Sequence, residues 1–133
     1  MHQRCNNKIF IYGSLKKGGR ERGLQESKNC KFIGTAITTQ SIFNLHDLGK
    51  FPTISLNGKY KIQGEIWSVT KDKLRELDRI EGYPKLYTKT LVDTNLGEAE
   101  TYLLTDNSWQ NYNTNSFSWK VHEDRGVVNW IIA

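Results

Sequence analysis

The chain has 133 residues, the length of one domain; it can bury one real core and is too short for a cofactor module beside a separate substrate module. Hydrophobic residues make up 37%, with four Trp, six Tyr and five Phe, and only two Pro occur, which excludes disordered and fibrous classes. The apolar stretches at 9–12 and 130–133 fall far short of the roughly 18 to 20 residues of a membrane-spanning helix. Residues 1–7 lack the apolar core of a secretory signal, so the expected location is the cytoplasm. Cys5 and Cys30, the two cysteines, stand in no CxxC and read as two thiols. The net charge of +5 is uneven: residues 1–31 hold eight Lys or Arg against two acidic residues, and the remainder carries −1. Such an end can bind a polyanion or steer a small carboxylate-bearing substrate.

Neither a repeat nor a linker divides the chain, and residues 1–133 are expected to form a single domain. Lys8-Ile9-Phe10-Ile11-Tyr12 is an apolar run of β-formers stopped by Gly13-Ser14, and predicts a buried first strand. The Gly-rich, charged residues 15–23 predict a loop. Short strands are expected at 30–36, 41–47 and 51–56. Asn57-Gly58 is the strongest hairpin signal, since both residue types tolerate the positive φ of a type I′ turn. It predicts an antiparallel pair of 51–56 with 60–69, in which Tyr60, Ile62 and Ile66 share one face and Gln63, Glu65, Trp67 and Val69 the other.

Residues 70–84 carry the only clear helical signature. Thr70 can cap, Asp72 sits where the helix dipole favours an anion, Leu74, Leu77 and Ile80 form one stripe, and Gly82 and Pro84 end it. Two further strands are expected at 87–93 and 98–105, around Thr94-Asn95-Leu96-Gly97. Residues 106–118, polar and Asn-rich, predict irregular surface structure. Many short strands with one central helix point to an α+β fold built on a curled sheet or small barrel.

Glu81 is the most informative single residue. Acidic side chains are disfavoured at helix C-termini by about 0.3–1 kcal/mol, yet this one stands just before the terminating glycine, where dipole and partial burial raise a carboxylate's pKa towards that of a general base. Position alone still favours an ordinary exposed glutamate at a frayed end. Tyr12-Gly13-Ser14-Leu15 closes a buried strand into a turn whose N–H groups are free to hold a carboxylate or an oxyanion. It is neither a GxSxG nucleophile elbow nor a P-loop. His46-Asp47 should point to opposite faces of a strand, and His122-Glu123-Asp124 lacks metal-ligand spacing. Trp109, Trp119 and Trp130 read as packing residues, though basic residues with interleaved aromatics keep a nucleic-acid reading open.

Three motifs occur in order: Phe10-Ile11-Tyr12-Gly13-Ser14-Leu15-Lys16-Lys17-Gly18, Gly64-Glu65-Ile66-Trp67-Ser68-Val69, and Leu77-Asp78-Arg79-Ile80-Glu81-Gly82-Tyr83-Pro84 followed by Tyr87. Over roughly residues 8–105 the chain resembles the γ-glutamylcyclotransferase-like superfamily, in the branch of γ-glutamylamine cyclotransferase and the AIG2-like proteins. The resemblance implies a small α+β fold with a barrel-like mixed sheet and one main helix. It makes Glu81 the acid/base, and Tyr12, Gly13, Ser14 and Leu15 the binding loop for a γ-glutamyl group, with Tyr87 beside them. The implied reaction releases 5-oxoproline and a free amine through attack of the substrate's own α-amine, with no metal or other cofactor. Relatives often carry Asn-His where this chain has Glu21-Arg22, and Tyr-x-Arg where it has Tyr87-Thr88-Lys89. These departures leave the leaving-group side open, and a basic entrance of Lys16, Lys17, Arg20 and Arg22 would suit an acidic leaving group. The alternatives are a non-catalytic small-molecule-binding protein on the same fold and a basic nucleic-acid-binding module using residues 4–31.

Overall fold

The computed structural model describes residues 4–13, 15–16, 24–49, 51–104 and 120–131. Its elements are β1 (Asn7–Ile11), β2 (Cys30–Ile37), β3 (Phe43–Asp47), β4 (Pro52–Val69), α1 (Lys71–Ile80), β5 (Tyr87–Thr94), β6 (Gly97–Leu104), β7 (Val121–Asp124) and β8 (Val127–Trp130). The sheet is mixed, in the order β5-β6-β1-β4-β8-β7, with β2 and β3 also paired to β4. The expected α+β class is what forms, with one helix among the described residues and a sheet that is not closed. One isolated bridge, Thr38 to Thr94, ties the end of β2 to the β5–β6 hairpin.

β1 is the inner strand the apolar run predicts. It pairs antiparallel with β4, from Asn7 opposite Val69 to Ile11 opposite Glu65, and parallel with β6 at Ile9 and Glu100. Its alternate side chains enter different clusters, Ile9 and Ile11 with Trp67, Val69 and Leu77, and Phe10 and Tyr12 with Ile62, Ile66 and Val128. The chain thus buries two apolar clusters, one on each face of the sheet, rather than the single core its length predicts. The residue parity expected for 60–69 holds, with Ile62 and Ile66 on one side and Trp67 and Val69 on the other.

The predicted hairpin at Asn57-Gly58 does not form. Residues 52–56 and 60–69 belong to one strand, the 18-residue β4, instead of pairing with each other. Asn44 of β3 faces Ser55, while the preceding Phe43 faces Tyr60, so residues 56–59 loop out as a wide bulge. Gly58 is there for close approach: its N–H donates to the Ile42 carbonyl at 2.9 Å, and a Cβ would lie 2.3 Å from the Phe43 carbonyl oxygen. The type I′ geometry appears instead at Arg125-Gly126, the two-residue loop between β7 and β8, with φ of +53° and +82°. Neither of these two strands is legible in the sequence pattern, and the segment 106–118 lies outside the described residues.

The helix starts and ends where its caps predict. Thr70 accepts from the Lys73 N–H at 3.2 Å, and Leu77 is fully buried against the sheet. Among the described residues no helix is long and apolar enough to cross a membrane.

The bulge gives a direct test. Gly58→Asn, which a type I′ turn would accept, should destabilise the protein by about 1–3 kcal/mol through overpacking against Phe43. Urea unfolding of the variant beside wild type measures this, and an unchanged midpoint would contradict the bulge.

Candidate active site

The site lies where the ends of β1, β4 and β5 meet the end of the helix. Ile11, Tyr12 and Gly13 leave β1, Phe51 leads into β4 and Pro52 opens it, Ile80 and Glu81 end α1, and Tyr87 opens β5. Together with Phe10, Leu15, Leu86 and Tyr102 they line one cavity of about 160 Å³, open to solvent. Of the residues singled out from the sequence, Tyr12, Gly13, Leu15, Glu81 and Tyr87 converge here, and Ser14 lies outside the described residues.

Glu81 is held by its backbone. It is the C-cap of α1, and Gly82 at φ +66° turns the chain so that the Gly82 N–H donates to the Arg79 carbonyl at 3.1 Å and the Tyr83 N–H to the Asp78 carbonyl at 2.9 Å. Those two bonds form a complete Schellman motif, which satisfies the last helical carbonyls and places Glu81 at the cavity wall. The frayed end that position alone favoured is therefore not what forms.

The opposite wall is the turn after β1. The Lys16 N–H donates to the Gly13 carbonyl at 3.0 Å, and the Leu24 N–H to the Leu15 carbonyl at 2.8 Å. Gly13 has no room for a side chain, since a Cβ would sit 2.7 Å from Pro52 Cγ. Tyr12 is buried and donates its hydroxyl to the Tyr102 carbonyl at 2.5 Å. Tyr87 donates to the Pro52 carbonyl at 3.3 Å, and its ring meets Phe51 edge-on at 6.4 Å between centroids.

Behind Glu81, Asp78 gathers two partners. Tyr102 donates its hydroxyl to Asp78 Oδ1 at 2.6 Å, and Lys89 Nζ lies 3.0 Å from the same oxygen and 4.3 Å above the Tyr83 ring. Lys89, the departure from the relatives' Tyr-x-Arg, thus neutralises the aspartate of the D-x-x-E-G segment. Sequence reading missed Phe51, Pro52, Tyr102 and Lys89 as site residues. For Lys89 and Asp78 the motif position was a usable signal; for Phe51 and Pro52, distant in sequence, there was none.

Burial pushes the Tyr12 phenol well above its ordinary value, a Thr53 hydrogen bond opposes the shift, and the Glu81 charge adds to it. The Tyr102 phenol is raised as well, by burial first, then by its bond to Asp78 and by the charges of Asp78 and Glu81.

Other expectations resolve outside the cavity. Lys16 is no part of a basic entrance: it is buried, and its ammonium donates to Asn129 Oδ1 and the Trp130 carbonyl. Lys17, Arg20 and Arg22 lie outside the described residues, as do Trp109 and Trp119, while Trp130 is buried. His46 Nε2 meets Ser55 Oγ at 2.9 Å, whereas Asp47 accepts from the Gly49 N–H at 2.7 Å. His122 is exposed on β7. Cys5 and Cys30 are free thiols, and burial pushes Cys30 up to about 11. Among the described residues, no three His, Cys, Asp or Glu side chains are placed to share a metal ion.

Residues 9–121 match the family model described as gamma-glutamyl cyclotransferase, AIG2-like. The chain belongs to that family. A rat relative named gamma-glutamylaminecyclotransferase is 32% identical over 99 residues, 69% of this chain and 66% of its own length. The gamma-glutamylcyclotransferase family protein YtfP of Escherichia coli K12 is 28% identical over 97 residues, 72% of this chain and 80% of its own. In fold, the chain is similar to the crystal structure of an AIG2-like protein from Mus musculus, with a TM-score of 0.66 and 24% identity over 89% of both chains. By family this cyclotransferase is an enzyme of the gamma-glutamylcyclotransferase type.

The buried phenols of the cyclotransferase give a pH test. Both folded-state pKa values lie above the unfolded value of about 10, so their contribution to stability is complete below that pH and is lost progressively as pH rises from there through the folded-state values. Unfolding free energy should fall above about pH 10 by up to about 1.4 kcal/mol per pH unit for each phenol. Tyr12→Phe should flatten that slope in urea unfolding between about pH 9 and 11, by an amount that grows towards one proton at the upper end, and parallel curves for variant and wild type would contradict the assignment.

Proposed function

We propose that this protein cleaves a γ-glutamylamine or a related γ-glutamyl amide, releasing 5-oxoproline and the free amine. The observation that carries the reading is that Glu81 and the Tyr12-Gly13-Leu15 turn, 66 or more positions apart in the chain, line the same small cavity. Family membership and the name of the rat relative support it.

The chemistry asks little of the protein because the substrate contains its own nucleophile. The α-amine reaches the γ-carbonyl in a five-membered ring, so the task is to hold the extended chain folded and to move protons. Glu81 as carboxylate takes a proton from the α-ammonium. The freed nitrogen forms a bond to the γ-carbon, giving a tetrahedral intermediate. The bond from that carbon to the leaving nitrogen then breaks as protonated Glu81 gives its proton to that nitrogen. The Glu81 carboxylate takes the second proton from the ring nitrogen and passes it to the departing amine, which leaves as an ammonium while Glu81 returns to its starting form. No water is consumed. N–H groups of the turn after β1 hold the α-carboxylate, and Phe51, Pro52 and Tyr87 pack the methylene chain from the side. Tyr12, with its phenol kept protonated and donating to the Tyr102 carbonyl, supports the turn rather than supplying a second base.

The test is 5-oxoproline release from a panel of γ-glutamyl amides by wild type and Glu81→Gln. Glutamine keeps the size and removes the proton acceptor. Turnover should fall by about 10² to 10⁴-fold with the melting temperature unchanged. Undiminished turnover in Glu81→Gln would remove Glu81 from the reaction, and a wild type silent across the panel would favour a binding protein on the same fold.

A further inference from the structure

The turn that lines the cavity is anchored from a distant part of the chain. Lys16 immediately follows the cavity residues Gly13 and Leu15, and its own N–H closes the turn on the Gly13 carbonyl at 3.0 Å. Its side chain runs away from the cavity into the protein, where Nζ donates to Asn129 Oδ1 at 2.8 Å and to the Trp130 carbonyl at 2.5 Å. Both acceptors belong to β8, which is held in turn by a parallel ladder to β4 at residues 61–63 and an antiparallel one to β7. The other strand of the hairpin, at the same open end, reaches towards the Phe51 side of the cavity: Lys120, next to β7, donates to the Gly49 carbonyl, two residues before Phe51.

We propose that the β7–β8 hairpin is a clamp for the active site, with Lys16 as the positioning residue through which β8 sets the Gly13–Leu15 turn in the cavity wall. The proposal rests on the cyclotransferase reading only for its kinetic consequence. The family match ends at residue 121, so nearly all of the hairpin lies beyond it. A lysine that only needed to be soluble would extend into water. This one is buried, and burial lowers its pKa against the opposing charge of Glu65. A buried ammonium that depends on two particular acceptors has one low-energy position, and so does the turn that carries it. Because an intramolecular cyclisation relies on the substrate being folded onto that turn, a small shift of the turn slows the reaction without touching Glu81.

The experiment compares wild type, Lys16→Met and Asn129→Leu in the full chain by two measurements. Hydrogen exchange with peptide-level mass spectrometry should show the Lys16 and Leu24 amides losing protection by about 10-fold or more in both variants, while β1 and the residue 63–69 part of β4 keep theirs. On a γ-glutamyl amide turned over by wild type, kcat/KM should fall on the order of 100-fold in Lys16→Met, with the shape of its pH profile retained because Glu81 is unmoved. Asn129→Asp, which keeps an acceptor for the ammonium, should restore most of the activity that Asn129→Leu loses. Unchanged protection at the two amides in Lys16→Met overturns the clamp, whatever the turnover. So does a variant that melts earlier yet keeps kcat and KM within about twofold of wild type, since Lys16 would then serve stability alone. A wild type without turnover removes the cyclotransferase reading and leaves the exchange measurement to decide the clamp.

Discussion

The structure depends on one strand being able to serve four neighbours. β4 runs for 18 residues and pairs with β1, β2, β3 and β8. A flat strand of that length could not bring its start near the end of β1. Continued along the β1–β4 ladder, Gly13 would fall opposite Gln63, yet it packs against Pro52 instead. β4 must therefore curl back over the end of β1, and the four-residue bulge at 56–59 releases the pairing with β3 that would otherwise hold it straight. Without that bend, Phe51 and Pro52 would stand far from Tyr12, and the cavity would lack a wall.

Around this bend the polar groups are arranged so that few compete with a substrate. The Tyr12 hydroxyl is taken by a backbone carbonyl of β6, and the Tyr102 hydroxyl and Lys89 are both taken by Asp78. Glu81 stands in the wall at the end of a helix whose last carbonyls are already satisfied. A site for an intramolecular reaction needs this kind of rigidity more than it needs many reactive groups. The same logic extends to Lys16, whose charge faces inward to β8 and holds the turn in place.

The legible parts of the sequence were those where a local rule decides the outcome. The burial of β1 follows from its apolar run, and strand parity in the 60–69 part of β4 reads directly from alternating residues, because successive side chains of a strand point to opposite faces. Thr70 and Gly82 mark the helix ends because capping involves only residues within one turn. The errors have equally local causes. Asn57-Gly58 carries the signature of a type I′ turn, but glycine is also what a close backbone approach demands, and the sequence does not distinguish the two needs. Arg125-Gly126 does adopt positive φ at both positions without the residues that usually announce it. A basic N-terminal region was visible as composition, while the inward turn of Lys16 depended on a partner 113 residues away.

By itself, the sequence determined the α+β class, the helix with its terminal Glu81 and the turn after the first strand, since each follows from periodicity, capping or motif over a few neighbouring residues. Only the tertiary structure decided that these pieces share a cavity, that Phe51, Pro52 and Tyr102 complete it, and that the C-terminal hairpin holds its wall. Those outcomes arise from contacts between residues far apart in the chain, whose free energy depends on how β4 bends and which strands it can then reach.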